Sequence, residues 1–143
     1  MTSSLERLSG AGKPLAAEAP DDAEIAGLLR SGHARLIDAR NTSLSLESRF
    51  DLAYNAAHAF CLAALRRHGY RPRHRYIVFQ VLPQTLGLGP EVWRVLAKAH
   101  DQRNLAEYEG HVEVEPRFVT DLIGACEIVS STIQASNPSP DAA

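Results

Sequence analysis

The 143-residue chain carries only two cysteines, Cys61 and Cys126, and neither belongs to a Cys-x-x-Cys pair or a short-loop framework. Both sit in apolar helical patterns and read as two reduced core thiols, which sets aside a disulfide scaffold and suits the cytoplasm. There is no run of 18 apolar residues, and the amino end lacks the charged-then-apolar order of a secretion signal. A soluble chain without a membrane partner is expected. A formal charge of -2 removes any global pull toward nucleic acid or an anionic membrane, so such affinity has to be local. Also missing are a glycine-rich phosphate loop, a Gly-x-Ser-x-Gly elbow and a His-Glu-x-x-His helix, and Gly87-Leu88-Gly89 lacks the strand that a dinucleotide fingerprint follows. His100 shares a helix face with Asn104 and Glu107, but no second histidine stands at ligand spacing. The reading therefore contains no metal and no cofactor.

What is present is helical periodicity. The length suits one domain, burying roughly two-thirds of its unfolded surface. Residues 1–20 mix Ser, Gly, Pro and Ala with isolated leucines and read as a mobile tail; residues 136–143, ending in NPSPDAA, read as a disordered end. Between them, residues 21–135 predict a helical domain. Asp21 and Asp22 can cap a first helix with Ile25, Leu28, Leu29, Leu36 and Ile37 on its apolar face, weakened in the middle by Gly32. Ser45 or Ser48 can cap a second, whose apolar set Phe50, Ala53, Tyr54, Ala57, Phe60, Cys61, Ala64 and Leu65 keeps three-four spacing. Its small residues predict a close helix crossing near Ala53 and Ala57.

The segment around Ile77, Val78, Val81 and Leu82 is ambiguous between strand and helix by composition. A lone strand would have no partner, so a short helix is expected there. Residues 90–110 predict a long helix between a first-turn proline and a glycine stop, with Val92, Leu96, Ala99 and Arg103 on one face and Trp93 and Val95 on its flanks. A last helix opens at Pro116 and buries Phe118, Leu122, Ala125, Cys126, Val129 and Ile133. The predicted fold class is all-α: an up-and-down bundle of about five helices, with short loops making sequential neighbours antiparallel.

Two polar features stand out. Residues 66–75, RRHGYRPRHR, hold Arg66, Arg67, Arg71, Arg73 and Arg75, five of the thirteen arginines, together with Tyr70 and two histidines. Arginine forks suit phosphate oxygens and Tyr70 can stack on a base; the plainer reading is a solvated loop that offsets acidic residues elsewhere. The second feature is the end of the helix at residues 90–110, where Arg103 and Glu107, and Asn104 and Tyr108, are each four apart and meet on one surface. Either Arg103 holds a phosphate while Asn104 orients a ligand, or Arg103 pairs with Glu107 and Tyr108 caps the core.

The segment 102–108, QRNLAEY, resembles the signature region of the HEPN superfamily, in particular its SAV_6107-like branch. Residues 49–56, RFDLAYNA, and 64–71, ALRRHGYR, resemble the second helix of that branch, and the likeness spans roughly residues 22–133. The resemblance implies a helical bundle that forms a homodimer with its Arg-Asn helices facing across a shared cleft. It also implies an RNA or nucleotide ligand, with some members acting as metal-independent ribonucleases in toxin-antitoxin, CRISPR or phage-defence systems beside an antitoxin-like partner. The family motif, Arg followed after four to six residues by His, maps onto Arg103 and Asn104. The histidine position falls on Tyr108, Glu109 or Gly110, with His111 one place too late. In an active member the histidine helps the ribose 2′-OH attack phosphorus while the arginine stabilises charge there. Tyrosine, with an ordinary pKa near 10, is a poor base at pH 7.

Three readings follow from the sequence: an RNA- or nucleotide-binding domain with cleavage residual or absent, a non-catalytic dimerisation protein, and a ribonuclease using Arg103, Asn104, Tyr108 and His111, or His100 with Tyr108.

Overall fold

The computed structural model describes residues 4–111 and 113–136. Along the chain run α1 (Ser4–Arg7), β1 (Leu15–Ala17), α2 (Asp22–Ala39), α3 (Leu46–Arg67), β2 (Tyr70–Pro72), α4 (Ile77–Gln80), α5 (Leu82–Thr85), α6 (Pro90–Glu109) and α7 (Pro116–Ser136). The all-α expectation holds apart from one small sheet. Among the described residues there are seven helices where about five were expected, because α1, α4 and α5 are single turns of four residues. The ambiguous segment at Ile77 is helical.

The long helices start and stop for local reasons. Asp21 accepts hydrogen bonds from the amides of Ala23 and Glu24 at 3.0 and 3.2 Å, satisfying two donors that the helix cannot pair itself. Ser45 does the same for Ser48 at 3.1 Å. Pro90 opens α6, and Gly110 closes it in the left-handed region at φ 85°, donating to the carbonyl of Ala106 at 2.7 Å.

Helix α3 is the axis of the molecule and contacts α2, α4, α5, α6, α7 and β2. Ala53, Ala56, Ala57 and Ala63 along it are fully buried. Gly32 of α2 has a packing reason: a Cβ there would stand 2.7 Å from the Phe60 ring, so the missing side chain admits that ring between the helices. Helix α7 buries the whole expected stripe, and α6 buries Val92, Leu96 and Ala99. Both cysteines are free and buried, and burial raises both thiol pKa values, that of Cys126 to about 12. No helix among the described residues is long and apolar enough to cross a membrane.

The amino-terminal segment corrects the expectation of a mobile tail over residues 4–20. β1 pairs antiparallel with β2, setting Leu15 opposite Pro72, Ala16 opposite Arg71 and Ala17 opposite Tyr70. Leu5 and Leu15 enter the core at 4% and 0% exposure. The isolated leucines are thus anchors, and a strand of three residues is too short to announce itself by alternation. Residues 1–3 and the expected disordered end at 137–143 lie outside the described residues; Ser136 is the last residue of α7.

Candidate anion-binding site

A polar cluster forms where the middle of α3 meets the second half of α6 and the loop after β2. Helix α3 contributes Tyr54, Asn55 and His58, α6 contributes His100, Arg103 and Asn104, and the loop contributes His74, Arg75 and Tyr76. Tyr54 lies at its centre, 1% exposed, with its ring edge-on to Phe79 at 5.9 Å. Two guanidinium groups approach that ring, Arg103 at 5.3 Å and Arg75 at 5.7 Å from the centroid. Such contacts orient a cation without discharging it, and each contributes about 0.5–1 kcal/mol at a partly exposed position.

The imidazole of His100 links the two helices. Asn104 Nδ2 donates to His100 Nε2 at 3.0 Å, so the ring proton sits on Nδ1 and is donated to Tyr54 Oη at 3.1 Å. Tyr76 packs on the same imidazole with ring centroids 4.9 Å apart. Burial lowers the His100 pKa; Asp101 opposes that shift, while Arg75, Arg103 and His74 reinforce it. His58 is perturbed further, to about 4, first by burial and then by Arg75, His100 and Arg103. Its Nε2 is enclosed without a hydrogen-bond partner. Both imidazoles are therefore neutral at pH 7, and the positive charge of the cluster belongs to the arginines.

Those two arginines differ in how much of their charge is spent. Arg103 pairs with Glu107 at 2.8 Å and keeps 28% side-chain exposure, so it is neither sealed nor free. Arg75 is exposed and has no carboxylate within ion-pairing distance among the described residues; its Nη2 meets only Asn55 Oδ1, at 3.5 Å. A guanidinium with unspent donors, on the same ring as a second one, is suited to a phosphate or carboxylate.

The rest of the expected basic surface goes elsewhere. Arg66 is 1% exposed: it donates to Glu24 at 2.7 Å and to the carbonyls of Glu18 at 2.9 Å, Ala19 at 2.8 Å and Tyr70 at 3.3 Å. Arg71 joins Glu18 at 2.7 Å and Glu24 at 2.8 Å. Hydrogen bonds from Arg71 to Glu18, and from Arg66 to Glu24, hold those carboxyls below their usual range. These two arginines clasp the amino-terminal segment to the end of α3, and their charge is met there by Glu18 and Glu24. Arg67 donates to the carbonyl of Ile133 at 2.9 Å, Arg73 to that of Gly10 at 3.2 Å, and Tyr70 is part of β2. Along α3, Arg66 lies about 12 Å from His58, the nearest member of the cluster on that helix. Arg75 alone of the six expected binding residues shares the Tyr54 ring with Arg103.

The expected catalytic set is also divided. Asn104 belongs to the cluster. Tyr108 is 94% exposed and neither caps the core nor faces Arg103. His111 lines, with Arg103, a shallow depression of about 250 Å3, but Glu47, Asp51 and Glu107 line it too, and His111 lies 3.7 Å from Glu113. Three carboxylates make that depression a poor seat for a phosphodiester. Tyr54, assigned from sequence to the buried stripe, lies in the candidate site together with His58, which the sequence reading did not single out; the available signal was two polar rings four residues apart on an alanine-rich face. No three His, Cys, Asp or Glu side chains among the described residues are grouped to hold a metal. Comparison with protein-family models, curated proteins and solved structures returns no match.

Proposed function

We propose that this chain is an RNA- or nucleotide-binding domain of HEPN type that holds a phosphate between Arg75 and Arg103 and does not cleave it. The observation that carries this reading is the pair of guanidiniums on the Tyr54 ring, one of them without a carboxylate partner among the described residues. A phosphate would accept forked hydrogen bonds from Arg75 and compete with Glu107 for Arg103. Asn104 Oδ1 stays available to accept from a sugar hydroxyl or base edge, because Nδ2 is used on His100. The His100 imidazole serves as a spacer, with one nitrogen bonded to each helix. Neither Tyr108 nor His111 is assigned proton transfer.

The test is fluorescence anisotropy with a labelled single-stranded RNA and, separately, ATP as competitor. Arg75→Ala and Arg103→Ala should each weaken binding roughly tenfold or more, as expected for a hydrogen bond to a charged group, and lower the RNA salt slope by about 0.7 per lost phosphate. Arg73→Ala should change little. RNA binding indifferent to both cluster substitutions would end the proposal. Cleavage of the same RNA in EDTA, abolished by His100→Ala or His111→Ala, would replace binding with ribonuclease action.

A second reading, dimerisation or docking of an antitoxin-like protein, rests on α6 as well. Leu105 and Tyr108 are 55% and 94% exposed on that helix, an apolar pair that protein partners commonly cover. A role in toxin-antitoxin or phage-defence systems would fit both readings.

A further inference from the structure

A cavity of about 700 Å3 opens at the far end of α3, lined by Ile25, Ala26 and Leu29 of α2, Ala64 and Arg67 of α3, and Leu86 just after α5. Pro20, Asp22, His68, Thr85 and Ser136 complete its rim. The volume falls within the range of small-molecule pockets, roughly 300–1,000 Å3. Its floor is the small second core of the protein, where Ile25, Ala64 and Ile133 are buried.

Against this apolar wall stands a cation with an incomplete set of partners. Arg67 is half-buried, and burial lowers its pKa. Among the described residues its one hydrogen bond runs from Nη1 to the carbonyl of Ile133, at 2.9 Å, and no carboxylate is within ion-pairing distance. Asp22 lines the same cavity without reaching it. A partly desolvated guanidinium without a counter-ion is costly, and an anion that supplies one is favoured. One further group points the same way. Thr85 is 8% exposed, and its Oγ1 has no hydrogen-bond partner. His68 donates from Nε2 to the Thr85 carbonyl at 3.0 Å and so fixes that stretch of the rim.

We propose that this cavity binds a small apolar monocarboxylate, with the alkyl or aryl body on Ile25, Leu29, Ala64 and Leu86 and the carboxylate on Arg67. The single guanidinium fits one carboxylate; a polyphosphate would leave charge against the leucines and beside Asp22. This site is separate from the Tyr54 cluster and does not depend on it.

Isothermal titration of the full chain with sodium octanoate, paired with 1-octanol, tests the assignment. Saturable one-to-one octanoate binding is expected, with 1-octanol weaker by roughly tenfold to a hundredfold, the range of a charge-assisted hydrogen bond. Arg67→Gln should bring the two ligands to parity. Ala26→Trp, which fills the cavity from an exposed helix position, should abolish octanoate binding while the far-ultraviolet spectrum and melting temperature stay close to those of the parent. Equal affinity for octanoate and octanol, or octanoate binding that survives Ala26→Trp, would overturn the proposal. So would octanoate binding seen only after removal of residues 137–143, which would give the cavity to the chain's own end.

Discussion

His58 is a half-buried imidazole held in its neutral form, and acid is the perturbation that exposes it. Its pKa is pushed from the ordinary 6.5 to about 4 in the folded chain, chiefly by burial and then by Arg75, His100 and Arg103. Folded His58 thus refuses a proton that the unfolded chain accepts between those two values. A lowered imidazole pKa makes stability rise with pH across this window, so the contribution is intact above about pH 6.5 and lost as the pH falls toward 4. Between pH 7 and pH 5 the loss from this residue comes to about 2 kcal/mol, and by pH 4 to about 3 kcal/mol. Glu18 and Glu24, whose pKa values are lowered below 4.5, lose their contributions mainly beneath that window. The His100 pKa is lowered by burial as well, but His100 contributes to the parent and to a His58 variant alike.

The comparison is therefore between the parent and His58→Leu, by urea unfolding followed by circular dichroism at pH 7, 5 and 4. Leucine removes the titration and also the enclosed Nε2 that has no partner, so the variant should match or exceed the parent at pH 7. Its stability should then fall less steeply, the gap widening by about 3 kcal/mol at pH 4. Parallel acid profiles would refute the assignment, showing that His58 exchanges protons as freely in the folded chain as in the unfolded one. A loss of several kcal/mol at pH 7 would show instead that the imidazole bonds to something essential.

Arg66→Met should destabilise the fold by about 3 kcal/mol, since it strands three carbonyls and Glu24 at a buried position, read as the change in unfolding free energy. Gly32→Ala should lower stability by about 1–3 kcal/mol although alanine is the better helix former, because the fully buried Phe60 ring would have to shift; a rise in melting temperature would show that the ring moves aside without cost. Leu105→Asp and Tyr108→Ser should leave the monomer within about 0.5 kcal/mol of the parent. If α6 carries a homodimer contact, sedimentation will show those two variants as monomers at concentrations where the parent associates.

Helix positions were legible because three-four spacing and capping residues are local signals: Asp21, Ser45, Pro90 and Gly110 mark boundaries that need only their neighbours in the chain. The stripe from Phe118 to Ile133 could be read for the same reason. The strand at Leu15–Ala17 could not, since its partner lies more than fifty residues away at Tyr70–Pro72, and an isolated leucine looks alike in a tail and in a core.

Charge was the least readable property. In sequence, Arg66, Arg71 and Arg75 form one basic run, and a guanidinium looks equally available at each position. Their fates differ because availability depends on which carboxylates the fold brings within about 4 Å. Glu18 and Glu24, remote in the chain, neutralise the first two, while the third packs on the Tyr54 ring that Arg103 also meets. The sequence by itself determined the long helices, their ends and most of their buried faces, which depend on interactions a few residues long; Ile37, placed on the apolar face of α2, is instead 62% exposed. The tertiary structure alone decided which cations keep their charge for a ligand, because long-range electrostatic pairing has no period that a sequence can display.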